Sequence, residues 1–121
     1  MKKILIVDDE TFLVKVITDR LQANNYEVIS AADGQEGLEK ARTEKPDLII
    51  LDLMLPKMDG YQVCRMLKFD KRFQTVPIIL FTARAQESDI KTGEEAGADA
   101  YLVKPFDPNV LLDKIKELLG D

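Results

Sequence analysis

The sequence predicts a doubly wound α/β fold, in which five short parallel strands alternate with five helices. Short runs rich in Ile, Val and Leu recur along the chain and alternate with longer stretches of helical periodicity. Three of these runs are continuously apolar, which is typical of central parallel strands covered by helices on both faces. These three runs are Ile4–Val7, Leu48–Leu51 and Ile78–Phe81.

Five segments are predicted as strands because they are short, β-branched and bounded by turn residues. They are Lys3–Val7, Glu27–Ala31, Leu48–Asp52, Pro77–Thr82 and Ala100–Val103. Aspartates at Asp33, Asp59 and Asp107 are predicted to begin the second, third and fifth helices as N-caps. The fourth helix, within residues 87–97, has one large apolar residue and two glycines. It is therefore expected to be weakly anchored.

Polar residues follow four of the predicted strands. In the flavodoxin-like strand order 2-1-3-4-5, the carboxyl ends of strands one and three flank the switch point where ligands bind. The residues at the strand ends are Asp8 and Asp9 after strand one, Asp52 on strand three, Thr82 on strand four and Lys104 after strand five. We therefore expect four separate segments to converge on one pocket.

This pocket has the groups that phosphoryl transfer to a carboxylate needs. Three crowded carboxylates repel one another unless a cation lies among them, and hard oxygen ligands suit Mg²⁺, for which Mn²⁺ can substitute. Such a cation would position phosphoryl oxygens for in-line attack by Asp52. Lys104 supplies a second positive charge and Thr82 a hydroxyl donor.

Composition limits the other functions. The 121 residues suit one domain over 1–121, no apolar run reaches membrane-spanning length, and the lone Cys64 fits a reducing cytoplasm. A net charge of −5 does not favour nucleic acid. The chain has no histidine, so any phosphohistidine donor belongs to another molecule or domain. Cys64 is expected to fill the core, and Lys68, Lys71 and Arg72 to form a solvated face.

Five motifs in order resemble those of response-regulator receiver domains from two-component systems, over essentially the whole chain. They are Asp8–Asp9 after an apolar strand, Asp52–Pro56 with Asp59–Gly60, Phe81–Ala83, Gly97–Tyr101 and Lys104–Phe106. Any one motif is weak evidence, but chance does not readily place all five at this spacing.

The resemblance implies a role for each site residue. Asp52 is the expected phospho-acceptor, Asp9 a direct Mg²⁺ ligand, Asp8 a ligand through water, and the Met54 carbonyl a further ligand. Lys104 is expected to pair with the phosphoryl group, after a cis peptide bond between Lys104 and Pro105.

The resemblance also implies a switch. Thr82 is expected to move toward the phosphoryl group and Tyr101 to swing inward, which would reshape the surface of the fourth helix, fifth strand and fifth helix. Met54 and Arg84 are expected to set the lifetime of the phosphorylated state. The implied partners are a sensor histidine kinase or phosphotransfer protein, and a downstream protein or fused effector domain.

Three alternatives compete with this interpretation. An aspartyl-phosphate phosphatase is disfavoured because Met54 stands where such enzymes have a second acid. Flavin binding is disfavoured because Asp8, Asp9 and Glu10 would repel the flavin phosphate. A protein-interaction module of the same fold that is not phosphorylated is kept as the alternative function. Both a stand-alone regulator and a receiver excised from a longer protein fit the sequence.

Overall fold

The computed structural model describes residues 1–83 and 87–121, with the backbone alone for residues 87–90. Within this part of the chain, the strands are β1 (Lys3–Val7), β2 (Glu27–Ala31), β3 (Leu48–Asp52), β4 (Ile78–Thr82) and β5 (Ala100–Val103). The helices are α1 (Thr11–Ala23), α2 (Gly34–Glu44), α3 (Gly60–Lys68), α4 (Glu87–Glu95) and α5 (Pro108–Leu119). None of these helices is long and apolar enough to cross a membrane.

The strands form one parallel sheet in the order β2-β1-β3-β4-β5. This order confirms the predicted flavodoxin-like (βα)₅ fold. The fourth strand begins at Ile78 rather than Pro77, because proline has no N–H to donate to a ladder. Asp33, Asp59 and Asp107 each cap their helix by accepting a backbone N–H of its first turn.

Helices cover both faces of the sheet, so two apolar layers form the core. One layer packs α2 and α3 against Leu5, Val7, Ile49, Leu51 and Leu80. The other layer packs α1 and α5 against the alternate residues of the same strands. Every residue of β3 and β4 is buried, as the continuously apolar runs predict. Cys64 is buried in the first layer, in agreement with its predicted role as core filler.

Helix α4 lies near the core through small residues. Within residues 91–96, the buried positions are Gly93 and Ala96. A Cβ atom on Gly93 would lie 3.1 Å from Leu80 Cδ1 and 3.3 Å from the Tyr101 ring. The small residue therefore lets α4 approach β4 and β5 closely.

The prediction that Lys68 belongs to a solvated face is wrong. Its Nζ donates to the Val76 carbonyl oxygen at 2.7 Å and lies 2.8 Å from Asp99 Oδ2. Asp99 in turn accepts the backbone N–H of Ile78 at 2.8 Å. The lysine therefore ties the end of α3 to the start of β4 and to the turn before β5. A lysine can bury its aliphatic carbons while its ammonium pairs with oxygens, so a charged residue type does not by itself indicate a solvated side chain.

Candidate functional site

The carboxyl ends of the strands bring the predicted polar residues to one edge of the sheet. Asp52 is the last residue of β3 and pairs in register with Phe81 of β4. Thr82, the last residue of β4, pairs with Val103, which directly precedes Lys104. Asp8 follows β1 and donates its backbone N–H to the Ala31 carbonyl of β2. The sheet register thus places these residues along one edge of the sheet, with Asp8 and Asp52 on the two strands that flank the switch point between β1 and β3.

The polar side chains of this edge are removed from solvent. Asp8, Asp52 and Thr82 are 3%, 4% and 0% exposed, and they are the fully buried polar or charged residues of the described chain. Acidic side chains are rarely buried unless they are paired, because losing hydration destabilises their charged form. The buried acids therefore require a positive charge nearby.

Lys104 supplies that charge from the loop after β5. Its Nζ lies 3.0 Å from Asp8 Oδ2, 3.2 Å from Glu10 Oε1 and 3.6 Å from Asp52 Oδ2. The ammonium also lies 4.7 Å from the centroid of the Phe81 ring, which provides a cation–π contact. One ammonium thus bridges three carboxylates.

The backbone around Lys104 is fixed on both sides. Its N–H donates to the Thr82 carbonyl at 2.7 Å, which continues the β4–β5 pairing by one residue. The peptide bond between Lys104 and Pro105 is cis. Phe106 then packs edge-on against Phe81, with the ring centroids 5.9 Å apart. These contacts anchor the loop that carries the ammonium.

Burial and the neighbouring charges change the pKa values of Asp52, Asp8 and Lys104. Burial, and then the charge of Asp8, raise the pKa of Asp52 to about 6, against the opposing effect of Lys104. Burial also raises the pKa of Asp8, although the Glu10 N–H and Lys104 oppose it. Burial alone would lower the pKa of Lys104, but its hydrogen bond to Asp8 and the charge of Asp52 outweigh burial and raise it. A cation is therefore favoured among these acids.

The loop after β3 holds the Asp52 carboxylate and backbone in place. The Met54 N–H donates to Asp52 Oδ1 at 3.2 Å, and the Leu53 N–H donates to the Phe81 carbonyl at 3.2 Å. Gly60, at the start of α3, passes so close that a Cβ atom there would lie 2.3 Å from the Asp52 carbonyl oxygen. Glycine is thus needed at this position because the helix begins against the strand that carries Asp52.

Carboxylate oxygens of Asp8, Glu10 and Asp52 lie within 4.8 Å of one another. A set of hard oxygen donors with this charge fits Mg²⁺, which prefers carboxylates and water. Glu10 is not among the predicted site residues, although it directly continues the Asp8–Asp9 acid run. Asp9 is predicted as a direct ligand, but it is exposed and lies outside this carboxylate group. Together with Asp8, it lines a cleft of about 260 Å³ beside β2.

Among the predicted switch and lifetime residues, the structure describes Thr82, Tyr101 and Met54. Tyr101 is half-buried on β5, where it pairs in register with Leu80 and packs against the first apolar layer. Met54, in the loop after β3, is 61% exposed. Arg84 lies outside the described residues.

A family model described as "Response regulator receiver domain" matches residues 4–116. Among curated proteins, the chain is 48% identical over 118 residues to the alkaline phosphatase synthesis transcriptional regulatory protein PhoP of Bacillus subtilis. It is 46% identical over 119 residues to the response regulator ArlR of Staphylococcus saprophyticus. These alignments cover 98% of this chain but 48% and 53% of the relatives. The chain thus spans about half the length of the curated relatives it matches.

Solved structures give the same result. A putative response regulator from Chloroflexus aurantiacus is 37% identical with a TM-score of 0.93, covering 99% of this chain and 98% of that one. A CheY-like response regulator receiver domain protein from Methanospirillum hungatei is 37% identical with a TM-score of 0.93, covering 99% and 94%. With the fold, the acidic pocket and these relatives in agreement, the chain belongs to the response regulator receiver domain family.

Proposed function

We propose that residues 1–121 form one receiver domain that accepts a phosphoryl group on Asp52 and acts as a signalling switch. The observation that carries this proposal is a buried Asp52 carboxylate at the switch point, beside a second acid and a lysine that bridges them. The donor is a partner histidine kinase, a phosphotransfer protein or a small phosphodonor, because the chain itself has no histidine.

The reaction is a transfer to the Asp52 side chain. A carboxylate oxygen of Asp52 attacks the phosphorus atom, the bond between phosphorus and the donor breaks, and its electron pair leaves with the donor. With a pKa of about 6, Asp52 is mostly ionised at neutral pH and can act as the nucleophile. Lys104, within 3.6 Å of Asp52, is placed to neutralise negative charge on the transferred group.

The acids of the site are proposed to hold Mg²⁺. Asp52 would contribute a carboxylate oxygen and Asp8 would act mostly through a bound water, and the family resemblance adds Asp9 and the Met54 carbonyl as direct ligands. When bound, the cation would supply positive charge to the phosphoryl oxygens. For Asp9 to serve as a ligand, its exposed side chain has to turn toward the carboxylates of Asp8 and Asp52.

The output is a change in the surface formed by α4, β5 and α5. Thr82 is fully buried beside the acceptor strand, and Tyr101 is half-buried on the neighbouring strand. We propose that Thr82 turns toward the new phosphoryl group and that Tyr101 follows inward. Met54 and Arg84 are proposed to govern the access of water, and so the rate at which the domain dephosphorylates itself.

We propose that a protein partner docks at an apolar cavity next to the lysine of the site. A cavity of about 450 Å³ opens beside Lys104, with an apolar wall made by Leu13, Val16, Ile17 and Phe106. The apolar wall supports docking of a protein donor, and the −5 charge does not support nucleic acid. We place the domain in the cytoplasm, where histidine kinases present their phosphohistidine, with a downstream protein or a fused effector domain as its target.

The test is phosphorylation by acetyl phosphate, followed by intact mass. Wild type is expected to gain one phosphoryl adduct with Mg²⁺ and none with a chelator. Asp52→Asn, which keeps the side-chain shape, is expected to gain none. Asp19→Asn, which alters an exposed ion pair with Lys15 on α1, serves as the matched control and should behave as wild type. An absent adduct on folded wild type would instead favour an interaction module that is not phosphorylated.

A further inference from the structure

Glu10 occupies the N-cap position of α1 without capping the helix. Its backbone is extended, with φ −81° and ψ 92°, and its carbonyl accepts the first helical hydrogen bond from Val14. Its side chain accepts no hydrogen bond from the first turn. Asp, Asn, Ser and Thr are the preferred N-caps, and α2, α3 and α5 each use an aspartate that does cap. Capping of the helix therefore does not explain why a glutamate occupies this position.

The side chain of Glu10 reaches across to the loop after β5. Its Oε1 accepts a hydrogen bond from Lys104 Nζ at 3.2 Å, while its own N–H donates to Asp8 Oδ1 at 2.8 Å. The Glu10 side chain is 58% exposed, whereas that of Asp8 is 0% exposed. Lys104 therefore has one carboxylate partner at the mouth of the site and two partners inside it.

We infer that Glu10 is a positioning residue that keeps the Lys104 ammonium at the site when a divalent cation binds to the inner carboxylates. The inference rests on the proposed function. A cation competes with Lys104 for oxygens of Asp8 and Asp52, because the cation and the ammonium bind the same oxygens and repel each other. Glu10 lies outside those two acids and offers the displaced ammonium a partner within reach. The Glu10–Lys104 pair is consequently stronger with metal bound than without it.

The test is the affinity of the unphosphorylated protein for Mg²⁺, measured from amide NMR shifts during titration with MgCl₂. Glu10→Gln, which keeps the side-chain shape, is expected to weaken Mg²⁺ binding by about two- to fivefold, the range of a part-exposed ion pair. The same substitution in a Lys104→Gln background is expected to have no effect. Glu39→Gln makes the same chemical change at an exposed position of α2 and is the matched control.

The double substitution separates the possible roles of Glu10. An equal loss of affinity in both backgrounds would overturn the inference, because Glu10 would then act on the cation directly. No loss in either background would also overturn it. If Asp52→Asn bound Mg²⁺ with the affinity of wild type, the proposed function would be contradicted instead, since the cation would not lie at the acceptor.

A second variant distinguishes positioning from a structural role. Glu10→Ser introduces a preferred N-cap, so it is expected to raise the thermal unfolding midpoint of the metal-free protein. The same variant is expected to weaken Mg²⁺ binding as Glu10→Gln does, because it also lacks the carboxylate that holds Lys104. A loss of both thermal stability and affinity would show that Glu10 serves the fold, and would overturn the inference.

Discussion

Asp52 is an ionised carboxylate inside the protein, and its replacement by asparagine is expected to stabilise the metal-free fold at neutral pH. The side chain of Asp52 is 5% exposed, and burial raises its pKa from 3.8 to about 6. A tenfold change in an ionisation constant corresponds to about 1.4 kcal/mol, so keeping Asp52 charged costs about 3 kcal/mol. The asparagine side chain would keep an oxygen acceptor for the Met54 N–H without the charge.

The pH dependence gives the prediction a defined sign. Between pH 3.8 and about 6, native Asp52 binds a proton that the unfolded chain has released. The stability of wild type therefore falls, relative to Asp52→Asn, as pH rises through this window. The pKa of about 6 already includes the opposing effect of Lys104. We therefore expect Asp52→Asn to be more stable than wild type by about 1–3 kcal/mol at about pH 7.5, and nearly equal to wild type at about pH 4.

The measurement is urea denaturation in the presence of a chelator at both pH values. Asp19→Asn, which removes a charge from an exposed residue of α1, is the control and should change the free energy of unfolding by less than about 0.5 kcal/mol. Excess Mg²⁺ is expected to stabilise wild type and not Asp52→Asn, since ligands stabilise only the state that binds them. A less stable Asp52→Asn at neutral pH, or a difference that does not vary with pH, would refute the electrostatic argument.

Two further predictions concern the framework of the site. Gly60→Ala places a Cβ atom 2.3 Å from the Asp52 carbonyl oxygen, so it is expected to lower the free energy of unfolding by about 2 kcal/mol or more and to slow phosphorylation by acetyl phosphate. Wild-type values for both would show that the helix start adjusts freely. Lys68→Met is expected to destabilise the protein by about 1–3 kcal/mol in urea, because it leaves Asp99 and the part-buried Val76 carbonyl without their donor. Lys71→Met, at an exposed position, should be neutral, and equal losses for both variants would contradict the assignment.

Much of the fold and of the candidate site can be predicted from sequence patterns that reflect local interactions. Continuous apolar runs predict buried parallel strands, and the aspartates Asp33, Asp59 and Asp107 predict where helices begin. Once the strand order is known, a residue at the carboxyl end of a parallel strand can be assigned to one edge of the sheet. That is why Asp52, Thr82 and their neighbours could be assigned to one pocket before any coordinates were known.

Tertiary structure decided which side chains enter that pocket and how their charges interact. Asp9 and Glu10 are adjacent in sequence and both carry a carboxylate, yet it is the carboxylate of Glu10 that lies beside those of Asp8 and Asp52. The backbone between β1 and α1 sets the directions of these two side chains. Because the alternation of side chains along a strand does not extend into a loop, the sequence pattern does not predict them. The raised pKa of Asp52 likewise depends on burial by residues distant in sequence.

The positive charges of Lys68 and Lys104 also show what the sequence predicts and what only the tertiary structure decides. Both lysines stand between apolar residues in the sequence, and both become partly buried donors to oxygens from other segments of the chain. Residue type and spacing determined that the protein has a switch-point pocket with acids and a lysine. Packing alone determined which oxygen each ammonium reaches, because an ion pair forms only where the fold brings its two members within a few ångströms.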